Sequence, residues 1–268
     1  MVITFLSDFG FQDEYVGTCH GVIKGIAPDV QIIDITHGIR PTRVLHGALV
    51  LANTLPYMPT GVHLAVVDPG VGSQRRALAL RGSGGRLFVG PDNGLLIPAI
   101  ERLGGIGAAH ELANPAYALP SVSRTFHGRD LFAPAAAHLA LGLPLAELGP
   151  PVDPDALVRL DVPQAEVGST HIRATVLDVD RFGNIQLGLR RQDLVEGGVS
   201  VGAKVELEHL GERYYAFLAR TFADAPAGEL ILYEDAFGAI AVAITEGSAA
   251  ELFAVSPGQQ LEIHPRRA

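Results

Sequence analysis

The stretch whose residues could do chemistry most directly is 66–76, an apolar run that breaks at Asp68. Pro69 and two glycines shape the turn, and Arg75 follows Asp68 by seven residues. A carboxylate at the carboxyl end of a buried strand, with a guanidinium close behind it, is typical of ligand sites in open α/β sheets. Taken alone, the stretch is better explained as a turn in which Asp68 caps backbone amides, and only the recurrence of this design elsewhere in the chain favours a site. We assign Arg75 to a site and expect its neighbour Arg76 to be solvated.

Similar polar residues occur at other predicted strand ends. Asp8, His37 and Asp92 each lie within two residues of a glycine, and Asp13 is in the same loop as Asp8. His127 comes shortly before an apolar helical stretch. Taken singly, each fits a turn or a helix cap. Because the carboxyl ends of parallel strands share one edge of a sheet, the recurrence predicts a polar site along that edge.

A second candidate site lies in the other half of the chain, at Asp180-Arg181-Phe182-Gly183-Asn184. Phe182 offers a ring face for stacking, and the amide of Asn184 offers a donor and an acceptor that suit an adenine edge. On its own the segment is better explained as a hairpin turn with Asn184 in a left-handed conformation. Its interpretation as a nucleoside pocket therefore depends on the rest of the chain.

The elements that must position these residues alternate between strands and helices in the first half of the chain. Apolar runs predict five strands, and 3.6-residue periodicity predicts four helices. This alternation favours an α/β domain with a mostly parallel sheet. The strands are 2–6, 30–35, 62–67, 77–80 and 86–89, and the helices are 15–26, 42–55, 95–103 and 131–141.

The pattern of the sequence changes after the proline-rich segment 148–154. Alternating apolar segments separated by glycine-rich turns predict a smaller all-β domain, a barrel or a sandwich, and we favour a barrel. We place the α/β domain at 1–155 and the β-barrel domain at 156–268. The predicted strands of the second domain are 172–179, 185–189, 203–208, 214–219, 229–233, 239–244 and 260–263.

Composition excludes several classes of protein. A net charge of −9 argues against nucleic acid or an anionic membrane as the partner. A single cysteine, Cys19, allows no disulfide framework, and the ten histidines show no paired metal spacing. We therefore predict no metal site. No Gly-Lys pair of a phosphate loop is present. The N-terminus has no basic region or long apolar run, so we expect a cytoplasmic protein.

Six motifs in a fixed order identify a family. The chain closely resembles the S-adenosyl-L-methionine (SAM) hydroxide adenosyltransferases, which are adenosine-forming SAM hydrolases related to fluorinases and chlorinases. The resemblance covers essentially the whole chain. The motifs are Leu6-Ser7-Asp8-Phe9-Gly10, Thr36-His37-Gly38-Ile39-Arg40-Pro41, Val67-Asp68-Pro69-Gly70-Val71-Gly72, Gly90-Pro91-Asp92-Asn93-Gly94, Phe126-His127-Gly128-Arg129-Asp130 and Asp180-Arg181-Phe182-Gly183-Asn184.

The resemblance implies an α/β domain, a β-barrel domain and a homotrimer with sites at subunit interfaces. It implies attack of water or hydroxide on the 5′ carbon of SAM, giving adenosine and L-methionine, with SAM as substrate and no cofactor. The family's catalytic triad maps onto Asp68, Arg75 and His127. These groups could order and activate a water, and the residues leave open whether Asp68 or His127 is the base. The expected substrate-binding residues are Asp8, Asp13, Gly128, Asp180, Phe182, Asn184, Asp235, Ala236 and Ile244.

Departures from the family pattern define the alternatives. Asp235, Ala236 and Ala241 stand where relatives carry Asn, Ser and Glu near the methionine end of the substrate. This change motivates two other hypotheses, an adenosine- or SAM-binding protein without turnover and a hydrolase of another 5′-substituted adenosine. Halogenation ranks lower, because Asp68 would repel a halide and stands where halogenases place Tyr. Gly128 likewise stands where fluorinases carry a fluoride-binding Ser.

Overall fold

The structure is a computed structural model that describes residues 1–265. The chain divides into two compact units, Met1–Leu160 and Asp161–Ala268. Within the described residues no helix combines the length and the apolar character needed to cross a membrane. The division falls five residues after the predicted domain boundary. Residues 156–160 belong with the first unit because the amide of Val158 donates to Asp92 and Leu160 packs against Gly94.

The first unit is built on a six-stranded sheet of order β2-β1-β3-β5-β4-β6. Neighbours among β2, β1, β3 and β5 pair in parallel, and β4 runs antiparallel to β5 and β6. The prediction of a mostly parallel sheet is confirmed. The strands are β1 (Val2–Ser7), β2 (Gln31–Thr36), β3 (Val62–Val66), β4 (Ala77–Gly82), β5 (Leu87–Pro91) and β6 (Ile106–Glu111).

Helices cover both faces of this sheet, which explains why the central strands are apolar on both sides. One face packs against helices α1 and α4 around Phe5 and Leu64. The other packs against α2 and α3 around Leu6 and Ala65. The four helices are α1 (Tyr15–Ile26), α2 (Val44–Thr54), α3 (Ile97–Arg102) and α4 (Ala133–Ala140).

Two helix starts differ from the predicted ones. Helix α2 begins at Val44 because Thr42 has a φ of 67°, a left-handed conformation that a helix cannot include. The predicted helix 131–141 is instead a π-helical turn, Gly128–Phe132, that continues into α4. Strand β6 was not predicted, because its sequence, Ile-Gly-Ala-Ala-His-Glu, has little β propensity.

The second unit is a closed barrel of seven strands. The order is β8-β9-β13-β12-β11-β10-β14, and β14 pairs back with β8. All pairs are antiparallel except β11–β12, and all seven predicted strands are present. Strand β7 (Glu166–Val167) pairs antiparallel with the first two residues of β8. The barrel strands are β8 (Ile172–Val179), β9 (Ile185–Arg190), β10 (Lys204–His209), β11 (Glu212–Leu218), β12 (Leu230–Glu234), β13 (Ala239–Ile244) and β14 (Gln260–Pro265).

Alternating side chains of these strands fill the barrel interior, and two short helices lie beside it. Buried residues such as Leu187, Leu207 and Val242 form one cluster with Leu194 and Phe253 of the helices. The alternation of buried and half-buried positions in β8 and β9 is the period of two expected of a strand with one face in a core. The helices are α5 (Arg191–Glu196) and α6 (Ala249–Phe253).

Candidate active site

Two carboxylates follow neighbouring parallel strands at one edge of the first unit's sheet. Strands β1 and β3 pair with Ser7 opposite Val66, so Asp8 and Asp68 follow the strands at the same edge. Burial raises the pKa of Asp8 above its usual value, and the charge of Asp68 adds to that shift, so the two carboxylates interact. The predicted polar edge is therefore present in the structure, and it brings together carboxylates 60 residues apart in sequence.

Arg75 joins Asp68 to His127. Its Nε lies 3.0 Å from each carboxylate oxygen of Asp68, and its Nη2 forms a close ion pair with Oδ2. The same Nη2 lies 2.8 Å from Nδ1 of His127. The side chains of Asp68 and Arg75 are only 5% and 11% exposed. One nearly buried guanidinium therefore fixes both of the groups that could accept a proton.

The Arg75 contact also sets the state of the His127 ring. A guanidinium can only donate, so Nδ1 of His127 must accept and the neutral ring carries its proton on Nε2. Burial lowers the pKa of His127, and the positive charge of Arg75 lowers it further, while Asp68 and Asp130 act in the opposite direction. The ring is thus neutral near pH 7, with its Nδ1 lone pair already engaged.

The backbone around His127 is unusual. His127 precedes the π-helical turn Gly128–Phe132, and such turns occur frequently at functional sites. A side chain at Gly128 would meet the Phe9 ring at 2.9 Å and the Phe126 ring at 3.3 Å. Phe132 lies under the Arg75 guanidinium, 5.2 Å from ring centroid to Cζ. Gly128 is therefore required for packing, and Phe132 is a site neighbour that its apolar sequence context did not indicate.

The other predicted residues of the first unit have different surroundings. Asp8 Oδ2 accepts a hydrogen bond of 2.9 Å from the amide of Thr42, the residue in the left-handed conformation. Burial is the main cause that raises the pKa of Asp8, and the Thr42 amide opposes it. Asp13 is exposed in the segment before α1. Within residues 1–265 its side chain forms no hydrogen bond or ion pair, so packing does not hold it near Asp8.

Arg76 and Asp92 form a second pair beside the first, with a structural role. Nε and Nη2 of Arg76 bond Asp92 Oδ2, each at 2.7 Å, and Nη2 donates to the carbonyl of Ala156 at 2.5 Å. Asp92 Oδ1 accepts from the amide of Val158. The expectation of a solvated Arg76 is wrong, because this arginine anchors the end of the first unit. Both carboxylate oxygens of Asp92 take part in these structural contacts.

In the barrel unit, Asp180 organises the turn between β8 and β9. Its Oδ1 accepts from the amides of Phe182 and Asn184, at 2.8 and 2.9 Å. Its Oδ2 accepts from the side-chain Nδ2 of Asn184 at 2.8 Å. These bonds fix the orientation of the Asn184 amide and leave its Oδ1 and one N–H for another partner. Asp180 therefore positions Asn184 through the turn.

The same turn borders a cavity of about 590 Å³. The ring of Phe182 is 64% exposed, with the Arg181 guanidinium over one face at 4.8 Å. Phe222 and Glu246 were not predicted as site residues. They lie in a loop and in a turn at the end of a strand, and neither segment carries a recognisable motif. The lining residues are Asp180, Phe182, Asn184, Phe222, Ile244, Glu246 and Gly247.

Gly183 allows the turn to approach α6. Its φ is +81°, and a Cβ there would overlap Ser248, with Cβ and Cα of that residue at 2.7 and 2.9 Å. The amide of Ala250 donates to the Gly183 carbonyl at 2.9 Å. The segment is thus a turn as expected, but the assignment of its left-handed residue to Asn184 is wrong, because Gly183 adopts that conformation. The turn also lines the cavity.

The predicted methionine-end segment lies outside that cavity lining. Asp235 caps the β12–β13 turn, with Oδ1 accepting from the amides of Phe237 and Ala239 and Oδ2 accepting 2.7 Å from Gln186. It lines a different cavity of about 400 Å³, together with Arg191 and Arg220. Ala236 is exposed in the turn and Ala241 is buried in β13. The carboxylate gained at position 235 is therefore satisfied by the barrel itself.

Comparison with known proteins decides the family. Residues 3–149 match the SAM hydroxide adenosyltransferase N-terminal domain, and residues 174–262 match the C-terminal domain of the same family. The chain belongs to the SAM hydroxide adenosyltransferase family. The resemblance found in the sequence motifs is thereby confirmed, together with the two-domain architecture that it implied.

Members of the SAM hydroxide adenosyltransferase family and related enzymes differ in their sequence identity to this chain. A Salinispora arenicola protein named (R)-S-adenosyl-L-methionine hydrolase is 50% identical, with 97% of each chain covered. A fluorinase of Nocardia brasiliensis is 30% identical, with 98% of this chain and 96% of the relative covered. A crystal structure of an uncharacterized conserved protein from Thermotoga maritima matches with a TM-score of 0.90 and 34% identity, covering 98% and 99%. The chain is thus more similar to that hydrolase than to that fluorinase, as the sequence analysis ranked them.

Proposed function

We propose that this chain hydrolyses SAM to adenosine and L-methionine. The observation that carries the proposal is the placement of Arg75, which donates to both Asp68 and His127 at the edge of the sheet. A sulfonium is already a good leaving group, so the enzyme's task is to position and activate a water. The hydrolase name of the Salinispora relative supports the same reaction.

Asp68 is the group best suited to accept the water's proton. The Nδ1 lone pair of His127 is engaged by Arg75, whereas among the described residues Oδ1 of Asp68 accepts only the shared Nε–H of Arg75 and retains a free lone pair. In the proposed step, the water oxygen bonds to the 5′ carbon of SAM as one of its protons passes to Asp68. The bond from that carbon to sulfur breaks, and its electron pair remains on methionine. Water is the nucleophile, so the reaction needs no organic cofactor.

The remaining predicted residues have binding roles in the proposal. The free oxygen of Asp8 would accept from the ribose hydroxyls, and Phe182 and Asn184 would hold the adenine ring and its polar edge. Negative charge at Asp8 and Asp68 favours a cationic substrate. Because each unit carries only part of these groups, we retain the homotrimer implied by the family as part of the proposal. Size-exclusion chromatography with light scattering tests it. The cytoplasmic location stays a prediction.

Halide transfer fits this site poorly. The Asp68 carboxylate is nearly buried, so solvent screens its charge only weakly. A halide beside it would be repelled by this negative charge. Gly128 offers no hydroxyl, and a side chain there would meet Phe9 and Phe126. We therefore expect fluoride and chloride to yield no 5′-halogenated nucleoside from SAM.

The decisive experiment traces the oxygen of water into the products and compares the rates of variants at two aspartates. Purified protein is incubated with SAM in H2¹⁸O, and the products are analysed by mass spectrometry. We expect ¹⁸O in the 5′ hydroxyl of adenosine and none in methionine. The Asp68→Asn variant should lower the rate about 1,000-fold. Asp92→Asn is the matched control, since Asp92 is also a buried strand-end carboxylate paired with an arginine.

Two results would overturn the proposal. One is the absence of adenosine from a folded wild-type protein. The other is an equal loss of rate in Asp68→Asn and Asp92→Asn when both variants are folded. Nucleoside binding without turnover would instead support a binding protein. The name of the Salinispora relative specifies the (R) epimer. Incubation of this protein with a mixture of the two sulfonium epimers of SAM tests whether it has the same selectivity.

A further inference from the structure

Three potential metal ligands converge at the outer strand of the first unit's sheet. His20 comes from α1, Asp34 from β2, and His37 from the residue that follows β2. Nε2 of His20 lies 2.9 Å from Oδ1 of Asp34, and Nε2 of His37 lies 3.1 Å from the same oxygen. One ligand atom from each side chain lies within 4.8 Å of the other two.

Ser7 and two aromatic rings hold His37 in an orientation suited to ligation. Its Nδ1 is 2.7 Å from the Ser7 hydroxyl, and its ring packs edge-on against Phe5 at 4.6 Å and Phe11 at 5.0 Å. The ring is fully buried, and its Nε2 makes no aligned hydrogen bond despite its distance to Asp34. Metal-binding histidines are likewise fixed by a hydrogen bond at the ring nitrogen that does not bind the ion.

The ligand types select a class of ion. Two imidazole nitrogens and one carboxylate oxygen suit Zn²⁺, Co²⁺ and similar divalent transition ions, and disfavour Mg²⁺ and Ca²⁺, which prefer oxygen. Around a tetrahedral ion with ordinary bond lengths, ligand atoms lie about 3.3 Å apart, close to the spacings found here. His20 and Asp34 are each 31% exposed, which gives an ion access from solvent.

A second group with similar residue types provides a contrast. Glu208, Glu262 and His264 also lie within ligand distance of one another. Arginines already neutralise these carboxylates, since Arg173 bonds Glu262 at 3.0 Å and Arg213 bonds Glu208 at 3.3 Å. In the His20 group, the contacts of Asp34 are with two imidazoles, those of His20 and His37. The His20 group therefore combines a carboxylate with an oriented, buried imidazole.

We propose that His20, Asp34 and His37 bind one divalent transition-metal ion of the Zn²⁺ or Co²⁺ type, with water completing its coordination. The site would support the loop that carries Asp8. The His37 carbonyl accepts from the amide of Gly10 at 2.8 Å, and the Ser7 hydroxyl accepts from the amide of Phe9 at 3.3 Å. The ion would thus restrain both sides of Asp8 without touching the reacting atoms.

Co²⁺ titration of the chelator-treated full chain tests the site, because tetrahedral Co²⁺ with nitrogen and oxygen ligands has a visible absorption band. We expect one equivalent to bind, and Zn²⁺ to displace it. Asp34→Asn and His20→Gln should each weaken binding by at least about 100-fold. His264→Gln, in the contrasting group, should leave it unchanged. Equal affinity in all four proteins, loss only in His264→Gln, or no Co²⁺ binding would each overturn the proposal.

A second measurement guards against variants that fail to fold. Asp34→Asn retains an oxygen that can accept from the histidines, so its melting temperature without metal should stay near that of the wild type. Zn²⁺ should raise the melting temperature and slow hydrogen exchange at residues 7–10 in the wild type only. Equal protection by Zn²⁺ in Asp34→Asn would contradict the assignment. Neither readout uses SAM turnover, so failure here is distinguishable from failure of the proposed reaction.

Discussion

The two halves of the proposed nucleoside site are built in different ways. The first unit holds Asp68, Arg75 and His127 through side-chain bonds among nearly buried charged groups. The barrel holds Phe182 and Asn184 through a backbone turn organised by Asp180, and it leaves the Phe182 ring exposed. Groups that must act on a reacting bond are fixed in a site of low dielectric, whereas groups that stack on a flat ring need only an open surface.

This contrast predicts different sensitivities to substitution. In the first unit, the loss of one hydrogen-bond donor leaves partners buried and unsatisfied. In the barrel, the conformation of the backbone is what has to be preserved.

The largest effect is expected from Arg75→Lys. Lysine keeps the charge but lacks the planar fork with which Arg75 reaches both Asp68 and His127. We expect kcat/KM for SAM to fall by about 100- to 1,000-fold, as for the loss of one preorganised donor. The matched control is Arg76→Lys, which alters the neighbouring structural pair and should keep most of the activity. Similar losses in both variants would remove the distinction between the two arginines.

A smaller effect, of a different kind, is expected from Gly183→Ala. The new Cβ would overlap Ser248 at a backbone conformation that disfavours side chains. Together, strain and overpacking should destabilise the barrel by about 3 kcal/mol, and adenosine affinity should fall with the displaced turn. Gly211→Ala is the control, because its φ is +84° but no atom lies near its Cβ. It should cost only about 1 kcal/mol. Denaturant unfolding followed by tyrosine fluorescence gives both values.

The smallest effect concerns acid, which should weaken the first unit before the barrel. Burial lowers the pKa of His63 to about 4, and it also lowers that of His37 and His127. The unfolded chain binds these protons more readily, so their stabilisation is complete above pH 6.5 and decreases as the pH falls toward 4. His63 alone should cost about 2 kcal/mol at pH 5.

The barrel has a later acid response. A hydrogen bond from Arg173 lowers the pKa of Glu262 below its usual value, so that stabilisation is lost only as the pH falls below about 4.5. Hydrogen exchange followed by mass spectrometry, corrected for the intrinsic rate at each pH, resolves the two units. Between pH 7 and 5 we expect faster opening in residues 1–160. Earlier opening of the barrel would reverse the comparison.

Much of the fold could be predicted from local sequence. Apolar runs that end in Asp or His beside glycine gave the parallel strands, and period-two alternation gave all seven barrel strands. The errors are instructive. Strand β6 has weak β propensity and forms because β4 offers it an edge to pair with. The π-helical turn before α4 depends on how Phe9 and Phe126 pack against Gly128.

For the candidate site, the residue types were predictable and their partners were not. The order of motifs singled out Asp68, Arg75 and His127, but nothing local distinguishes the role of Arg75 from that of Arg76. The structure separates them because the two adjacent side chains point in different directions, Arg75 toward Asp68 and Arg76 toward Asp92. The same holds for Asp235, whose carboxylate the barrel turn satisfies.

The family and the two-domain order could be read from the sequence, because they depend on local motifs and periodicity. Which charges meet depends on the tertiary structure. Arg75 reaches His127 across 52 residues, and His20 reaches Asp34 from a helix that packs on the strand's face. Neither pairing leaves a spacing signal in the chain, since the ligands come from elements brought together by burial of their apolar faces.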